Sequence, residues 1–390
     1  MKNSVENVII IGASHAAADA ISTLRRAGWT GSITLVGDET ELPYQRPPLS
    51  KGYYKGEMAV EKLAIRNADY YTTAKVDLYL GRRAESINRD EKHIVLDRGE
   101  QLEYSHLILA TGTRARYLPV DGCDLPCIKY LRTVADVDDI KNSLSADAKL
   151  LIVGGGYIGL EVAASAVKQG NRVTVLEAMD RVLARVTSPV VSEFYQNMHS
   201  QEGVDIRLNA RLDKFQQIDD QYLVLLADGE QLEFDCAIVG IGVIPNIELA
   251  EDAGLACDNG IIVDEFTRTA DPFIYAVGDC SNHPNLIYQR RIRLESVPNA
   301  AGQAKTAALA ICGQDQAYDQ LPWFWSDQYD VKLQTAGLLD GYDDYQVDGD
   351  IASGKFSVSY FCNGKLIALD ALNSPAAFMK SKKLILQAAS

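Results

Sequence analysis

The sequence predicts an α/β protein followed by a smaller α+β domain, and two observations carry that expectation. The first is an internal repeat. Residues 8–11 read VIII, then GASHAA, a helical pattern as far as Gly28, and SITLVGDE. Residues 150–153 read LLIV, then GGGYIG, a helical pattern as far as Gly170, and RVTVLEA. Each copy is an apolar strand, a turn of small residues, an amphipathic helix and a second strand ending in an acid, which makes a βαβ unit. The second observation is a change of texture from Pro322. WFWSDQYDVKLQTAGL and GKFSVSYFCNGKLIALDAL, with an Asp/Gly-rich connection, read as antiparallel strands, and a final helix is predicted from Pro375.

The remaining elements fall between these landmarks. Residues 104–113 (YSHLILATGT) read as a strand running into a glycine turn, and residues 236–246 (CAIVGIGVIPN) repeat that form after the second copy. Residues 269–280 (TADPFIYAVGDC) give another buried strand ending at an acid. Residues 296–311 read as a helix with Pro298 in its first turn, where a missing N–H costs nothing. The chain is therefore expected to divide into a discontinuous first domain (1–113 and 247–320), an inserted second domain (114–246) and a C-terminal domain (321–390).

Composition narrows the function. A net charge of −15 argues against nucleic acid or an anionic membrane as partner, since both reward clustered Lys and Arg. No apolar run approaches the ~18–20 residues of a membrane span. The N-terminus shows no cleavable signal pattern, so a cytoplasmic protein is expected. The seven cysteines include no CxxC, an arrangement suited to a reducing compartment; the nearest pair, Cys123 and Cys127 in GCDLPC, reads as a surface turn.

The two turns predict the chemistry. A glycine turn after a strand lets backbone N–H groups approach a pyrophosphate, and the following helix adds its positive dipole end. The second turn, Gly154-Gly155-Gly156-Tyr157-Ile158-Gly159, fits GxGxxG in full, and Glu177 closes the next strand 18 residues past Gly159. A carboxylate there accepts hydrogen bonds from an adenine ribose and repels a 2′-phosphate, so NADH is favoured over NADPH. The first turn is looser: Gly12 is kept, Ser14 and Ala17 replace the other glycines, and Asp38 and Glu39 close the following strand. Serine is tolerated if its φ stays negative. Two Rossmann-like dinucleotide-binding domains follow.

The motifs LPYQRPPLSK (42–51), ILATGTRAR (108–116), YLRT (130–133), GGGYIGLEVAA (154–164), RVLARVT (181–187), GIGVIPN (240–246), YAVGDC (275–280), RLESVPNA (293–300) and WFWSDQY (323–329) cover nearly the whole chain. With them the sequence resembles the FAD-dependent pyridine nucleotide–disulfide oxidoreductases, which have a glutathione-reductase-like fold. Within these it is similar to the ferredoxin and rubredoxin reductases of bacterial oxygenase systems. The resemblance implies FAD at the first turn and NADH at the second. Gly12, Ser14, Ala16 and Asp38 would contact the adenosine and pyrophosphate of FAD, with Arg46 and Lys51 neutralising phosphate and bracketing the flavin. Ala84 would lie beside the adenine; Ala110, Thr111 and Gly112, Arg132 and Gly242 fall in matched motifs. Asp279 would take a ribityl hydroxyl, and Val297 would present its N–H to the flavin pyrimidine edge, where a helix dipole favours the charge of reduced flavin. The bland alternatives are solvated loop charges for Arg46 and Lys51 and a turn cap for Asp279. The five histidines read as structural or surface residues.

By the same resemblance, hydride passes from NADH to FAD and two single electrons then pass to a 2Fe-2S ferredoxin or rubredoxin. Glu161 would meet the nicotinamide carboxamide; the alternative is a first-turn acid complementing the helix dipole. Trp325 would lie near flavin and nicotinamide; the alternative is a core tryptophan. Disulfide-reducing relatives carry redox cysteines after the first βαβ unit, but residues 37–60 contain none, which excludes a thiol relay there. An acidic carrier would need a local basic patch on this acidic protein. Arg290, Arg291 and Arg293, Lys305 and Lys332 are candidates, although a single helix lysine is commonly just solvated. A monomer or weak homodimer is expected. The competing function is a flavin-bound NADH sensor of the apoptosis-inducing-factor type.

Overall fold

The computed structural model describes residues 6–389. Two five-stranded parallel sheets repeat one strand order. The first runs Ile274–Ala276, His106–Leu109, Asn7–Ile11, Ser32–Gly37, Val76–Leu80. The second runs Ile128–Tyr130, Cys236–Val239, Lys149–Val153, Arg172–Leu176, Asp205–Arg207. The inner strands are largely apolar because both faces of each sheet are covered there. Val8 and Ile10 pack on one face against Ala17, Ala20 and Leu24 of the helix His15–Arg26 and Ala304 and Ala307 of the helix Val297–Ile311. Ile9 and Ile11 pack on the other, against Ile87 and Ile94 of an antiparallel layer (84–103). The second sheet repeats the alternation. Leu150 and Ile152 meet Val162 and Ala166 of the helix Tyr157–Lys168, while Leu151 and Val153 meet Phe215 and Val224 of a second antiparallel layer (212–234).

Two antiparallel strands, Thr113–Ala115 and Val243–Pro245, carry the chain into and out of the second βαβ region. The C-terminal antiparallel sheet has the order Trp323–Gln328, Val331–Gly337, Lys365–Leu372, Lys355–Cys362, Asp344–Asp350. One face holds the helix Pro375–Ala389 through Phe378 and Ile385. The other lies on the second sheet's helices, where Leu333, Phe356 and Tyr360 meet Leu160, Val191 and Tyr195. No helix among the described residues is long and apolar enough to cross a membrane.

Candidate active site

Both glycine turns sit where the sequence places them. Gly12 and Gly154 have φ of +109° and +110°, and a Cβ on either would fall 2.1 Å from the Ala110 carbonyl oxygen or 2.4 Å from that of Gly240. Only glycine fits. Ser14 keeps a negative φ of −139°, so serine in the first turn carries no strain. Neither Ser14 nor Gly156 caps its helix with a side chain, so the N–H groups at Ala16 and at Tyr157 and Ile158 remain donors for an anion. Gly159 lets the second helix close on the turn, since a Cβ there would lie 2.3 Å from the Gly154 carbonyl oxygen. Glu177 accepts the N–H groups of Gly155 and Met179, each at 2.8 Å, which holds its carboxylate over the turn. The Tyr157 ring turns away and meets Phe324 of the C-terminal sheet edge-on at 4.8 Å.

Beside the first turn the charged candidates converge. Arg46 donates to Glu39 Oε1 (2.6 Å), Tyr44 OH (3.0 Å), the Arg132 carbonyl (2.8 Å) and Ser14 Oγ (3.3 Å). It is not a solvated loop charge. Burial opposes its positive form, but Tyr44 and Glu39 outweigh that and hold its pKa above the ordinary value. The Arg132 guanidinium lies 3.6 Å from Asp279 Oδ2 and against Gly112. Burial and then the neighbouring Arg46 lower the Arg132 pKa, whereas burial raises that of Asp279 against the pull of Arg132. Asp279 meets Arg132 and Thr113 Oγ1 (3.5 Å), so its carboxyl faces the site and does not serve as a turn cap. His15 opens the first helix here; burial, then Arg46 and Arg132, push its pKa down to about 4.

Asp38 is exposed at the strand end, and the acid drawn into this network is Glu39. Ala84 is buried with Ile11, which leads into the first turn, and with Val36, whose carbonyl accepts the Gly12 N–H. Thr111 and Asn246 exchange hydrogen bonds of 2.7 and 2.8 Å, and the Gly242 carbonyl accepts from Arg116. Val297 begins its helix behind the Ser296 cap. Gln303 on that helix accepts from the Gly278 N–H and Ser281 Oγ, both at 2.7 Å, fixing the turn that carries Asp279.

Two candidates proposed separately meet. Lys51 Nζ lies 2.5 Å from Glu161 Oε2, Ser50 Oγ donates to the same oxygen at 2.6 Å, and Ser326 Oγ donates to Oε1 at 2.6 Å. Glu161 is 6% exposed and sits in the second turn of its helix, which overturns the first-turn dipole alternative. Ser50 and Ser326 were missed, although both lie inside recognised motifs, because nothing local in the sequence shows that these segments meet. Trp325 neighbours Ser326 on the same strand, its ring 5.7 Å from that of Trp323.

A cleft of about 750 Å³ is walled by Arg181 and residues 184–187, residues 290–296 and the C-terminal sheet. The arginines expected to form a docking patch are partly committed elsewhere. Arg290 pairs with Asp340 (2.6 Å), Arg291 donates to the Val263 and Asn282 carbonyls, and Arg293 binds Glu295 (2.8 Å) and the Asp279 carbonyl (3.2 Å). Lys305 and Lys332 are exposed.

The pyridine nucleotide-disulphide oxidoreductase profile matches residues 6–304, and a reductase C-terminal profile matches residues 323–390. The chain belongs to the pyridine nucleotide-disulphide oxidoreductase family. It is 44% identical to putidaredoxin reductase of Pseudomonas putida, over 98% of this chain and 92% of that protein. It is 43% identical to rhodocoxin reductase of Rhodococcus erythropolis, over 97% and 89% respectively. The fold superposes on the reductase of the covalent putidaredoxin reductase–putidaredoxin complex with a TM-score of 0.94, covering 98% of this chain and 93% of that one.

Proposed function

We propose that the chain is an FAD-containing, NADH-dependent reductase whose electron acceptor is a 2Fe-2S ferredoxin or a rubredoxin serving an oxygenase. One observation carries this reading. Two glycine cradles accompany the Lys51–Glu161–Ser326 junction, and residues 37–60, which follow the first cradle and include Lys51, contain no cysteine. All seven cysteines are free. Cys280, beside Asp279, is buried, its thiol pKa is raised by that burial, and Sγ lies near the Leu109 and Val277 carbonyls. The relatives named as putidaredoxin and rhodocoxin reductases support the choice of acceptor.

The donor set fits FAD in the first cradle. Gly12 admits a close backbone approach, Arg46 and Arg132 offer guanidinium groups to a pyrophosphate, and Asp279 offers a carboxyl to a sugar hydroxyl. In the second cradle Glu177 is placed for the ribose of NADH. FAD, when bound, supplies the conversion of a hydride into two single electrons that a one-electron carrier requires. The protein contributes position and field: Lys51 presents a cation whose orientation is fixed by Glu161, and Glu161 in turn is held by Ser50 and Ser326. Lys305 and Lys332 are the exposed cations offered to an acidic carrier.

The test is anaerobic bleaching by NADH followed by stopped-flow reoxidation with candidate carriers. Rapid electron transfer to a ferredoxin or rubredoxin is expected. A long-lived NADH complex that reoxidises slowly with every carrier would move the assignment to a flavin-bound sensor.

A further inference from the structure

Asp370, in the middle of the C-terminal strand Lys365–Leu372, is fully buried and ion-pairs with no cation among the described residues. Three hydroxyl groups hold its carboxyl: Thr335 Oγ1 at 2.5 Å, Tyr360 OH at 2.7 Å and Thr187 Oγ1 at 2.5 Å. A carboxyl in an apolar sheet persists only when its hydrogen bonds are made. Thr335 and Tyr360 belong to the same sheet, but Thr187 does not. It ends the 181–187 segment that leaves the second nucleotide-binding unit after Glu177. The next residue, Ser188, donates its N–H to the same Tyr360 hydroxyl at 3.3 Å.

That segment sits directly on the second glycine turn. The Leu183 N–H donates to the Gly155 carbonyl at 2.9 Å, and a Cβ on Gly155 would lie 3.0 Å from Val182 Cγ1. Leu183 has φ of +55°, a left-handed conformation that leucine keeps only where its surroundings enforce it. Arg181 braces the segment from within, donating to the Thr187 carbonyl (3.0 Å), the Ala184 carbonyl (2.8 Å) and Ser192 Oγ (2.6 Å). Outside the segment and the helix it leads into, its polar anchors are thus the glycine turn at one point and the Asp370–Tyr360 pair at the other.

We infer that Asp370 is a positioning residue for the nicotinamide nucleotide: acting through Thr187, it seats the 181–187 segment against the glycine turn. This rests on the reading of residues 154–159 as the NADH site. The C-terminal sheet thereby sets NADH affinity from a residue outside the nucleotide site.

The experiment uses FAD-loaded protein and NAD⁺ as the binding probe. Thr187→Val keeps shape and removes the single bond from segment to carboxyl. The expected result is NAD⁺ binding weakened about 3–10-fold and a matching rise in KM for NADH. kcat at saturating NADH and the FAD content stay at the parent values. Asp370→Asn, which retains an acceptor oxygen, should bind NAD⁺ more tightly than Asp370→Ala; should the alanine variant not fold, Thr187→Val decides alone. Parent-like NAD⁺ affinity in Thr187→Val overturns the inference. Glu177→Ala separates the two levels. If it weakens NAD⁺ binding while Thr187→Val does not, only the positioning role falls; if neither does, the assignment of the turn falls with it.

Discussion

Glu161 accepts bonds from Ser50, Lys51 and Ser326, three residues from two segments that are distant in sequence from it and from each other. Breaking a nearly buried pair by removing one charge leaves the other uncompensated, at a cost of about 3 kcal/mol. Glu161→Gln is therefore expected to lower the melting temperature and to slow NADH-driven bleaching more than tenfold, with FAD retained; differential scanning calorimetry and stopped-flow absorbance report the two effects. Glu177→Ala takes away the acid over the second turn and should cut the preference for NADH over NADPH by about tenfold, measured as a ratio of kcat/KM values. Lys51 and Glu161 could each be picked from the sequence because each follows a strongly patterned turn or loop. Their pairing could not, because contact between residues 110 positions apart is decided by how the units pack.

The helix Val297–Ile311 shows what an element adds beyond its period. Its alanines allow close approach to the helix His15–Arg26, and Gln303 turns inward to hold the Gly278 and Ser281 donors. Gln303→Leu orphans both donors at about 1–3 kcal/mol each. It should release FAD more readily than Ser296→Ala, which removes only a cap worth about 1 kcal/mol; FAD loss on dilution distinguishes them. This helix, with its Pro298, was legible in the sequence, as were the inner strands of the two parallel sheets, which read as apolar runs; the outer strands Val76–Leu80, Ile128–Tyr130 and Asp205–Arg207 carry charged residues and were not. The antiparallel layers at 84–103 and 212–234 were not. Each buries only one face, so its strands mix polar and apolar residues without a clear boundary. The internal bonds of the arginine cluster were hidden for a similar reason: sequence records a cluster of charge, but not that Arg291 and Arg293 donate to carbonyls of their own chain.

For the molecule as a whole, acid is a sharper threat than the net charge suggests. His199 is fully buried where the helix Pro189–Gln201 meets the C-terminal sheet, with Nε2 2.8 Å from Gln328 Oε1, and burial pushes its pKa down to about 4. The unfolded chain takes up that proton near pH 6.5, so the stability present above pH 6.5 is lost as pH falls towards 4, on the order of 3 kcal/mol. Asp279 and Asp370, whose pKa values are raised by burial, shift stability the opposite way over the acid range. The diagnostic is therefore a difference: His199→Gln should flatten the fall in melting temperature between pH 7 and 5 relative to the parent. A further consequence lies in the strand order. Ile274–Ala276 completes the first sheet, yet it emerges from the ribosome only after the entire second sheet, whose own flanking strand, Ile128–Tyr130, is made early. A nascent chain halted near residue 260 would hold a finished inner half and an outer half with a bare edge along His106–Leu109, so during synthesis the nicotinamide half matures first and the flavin half waits for it.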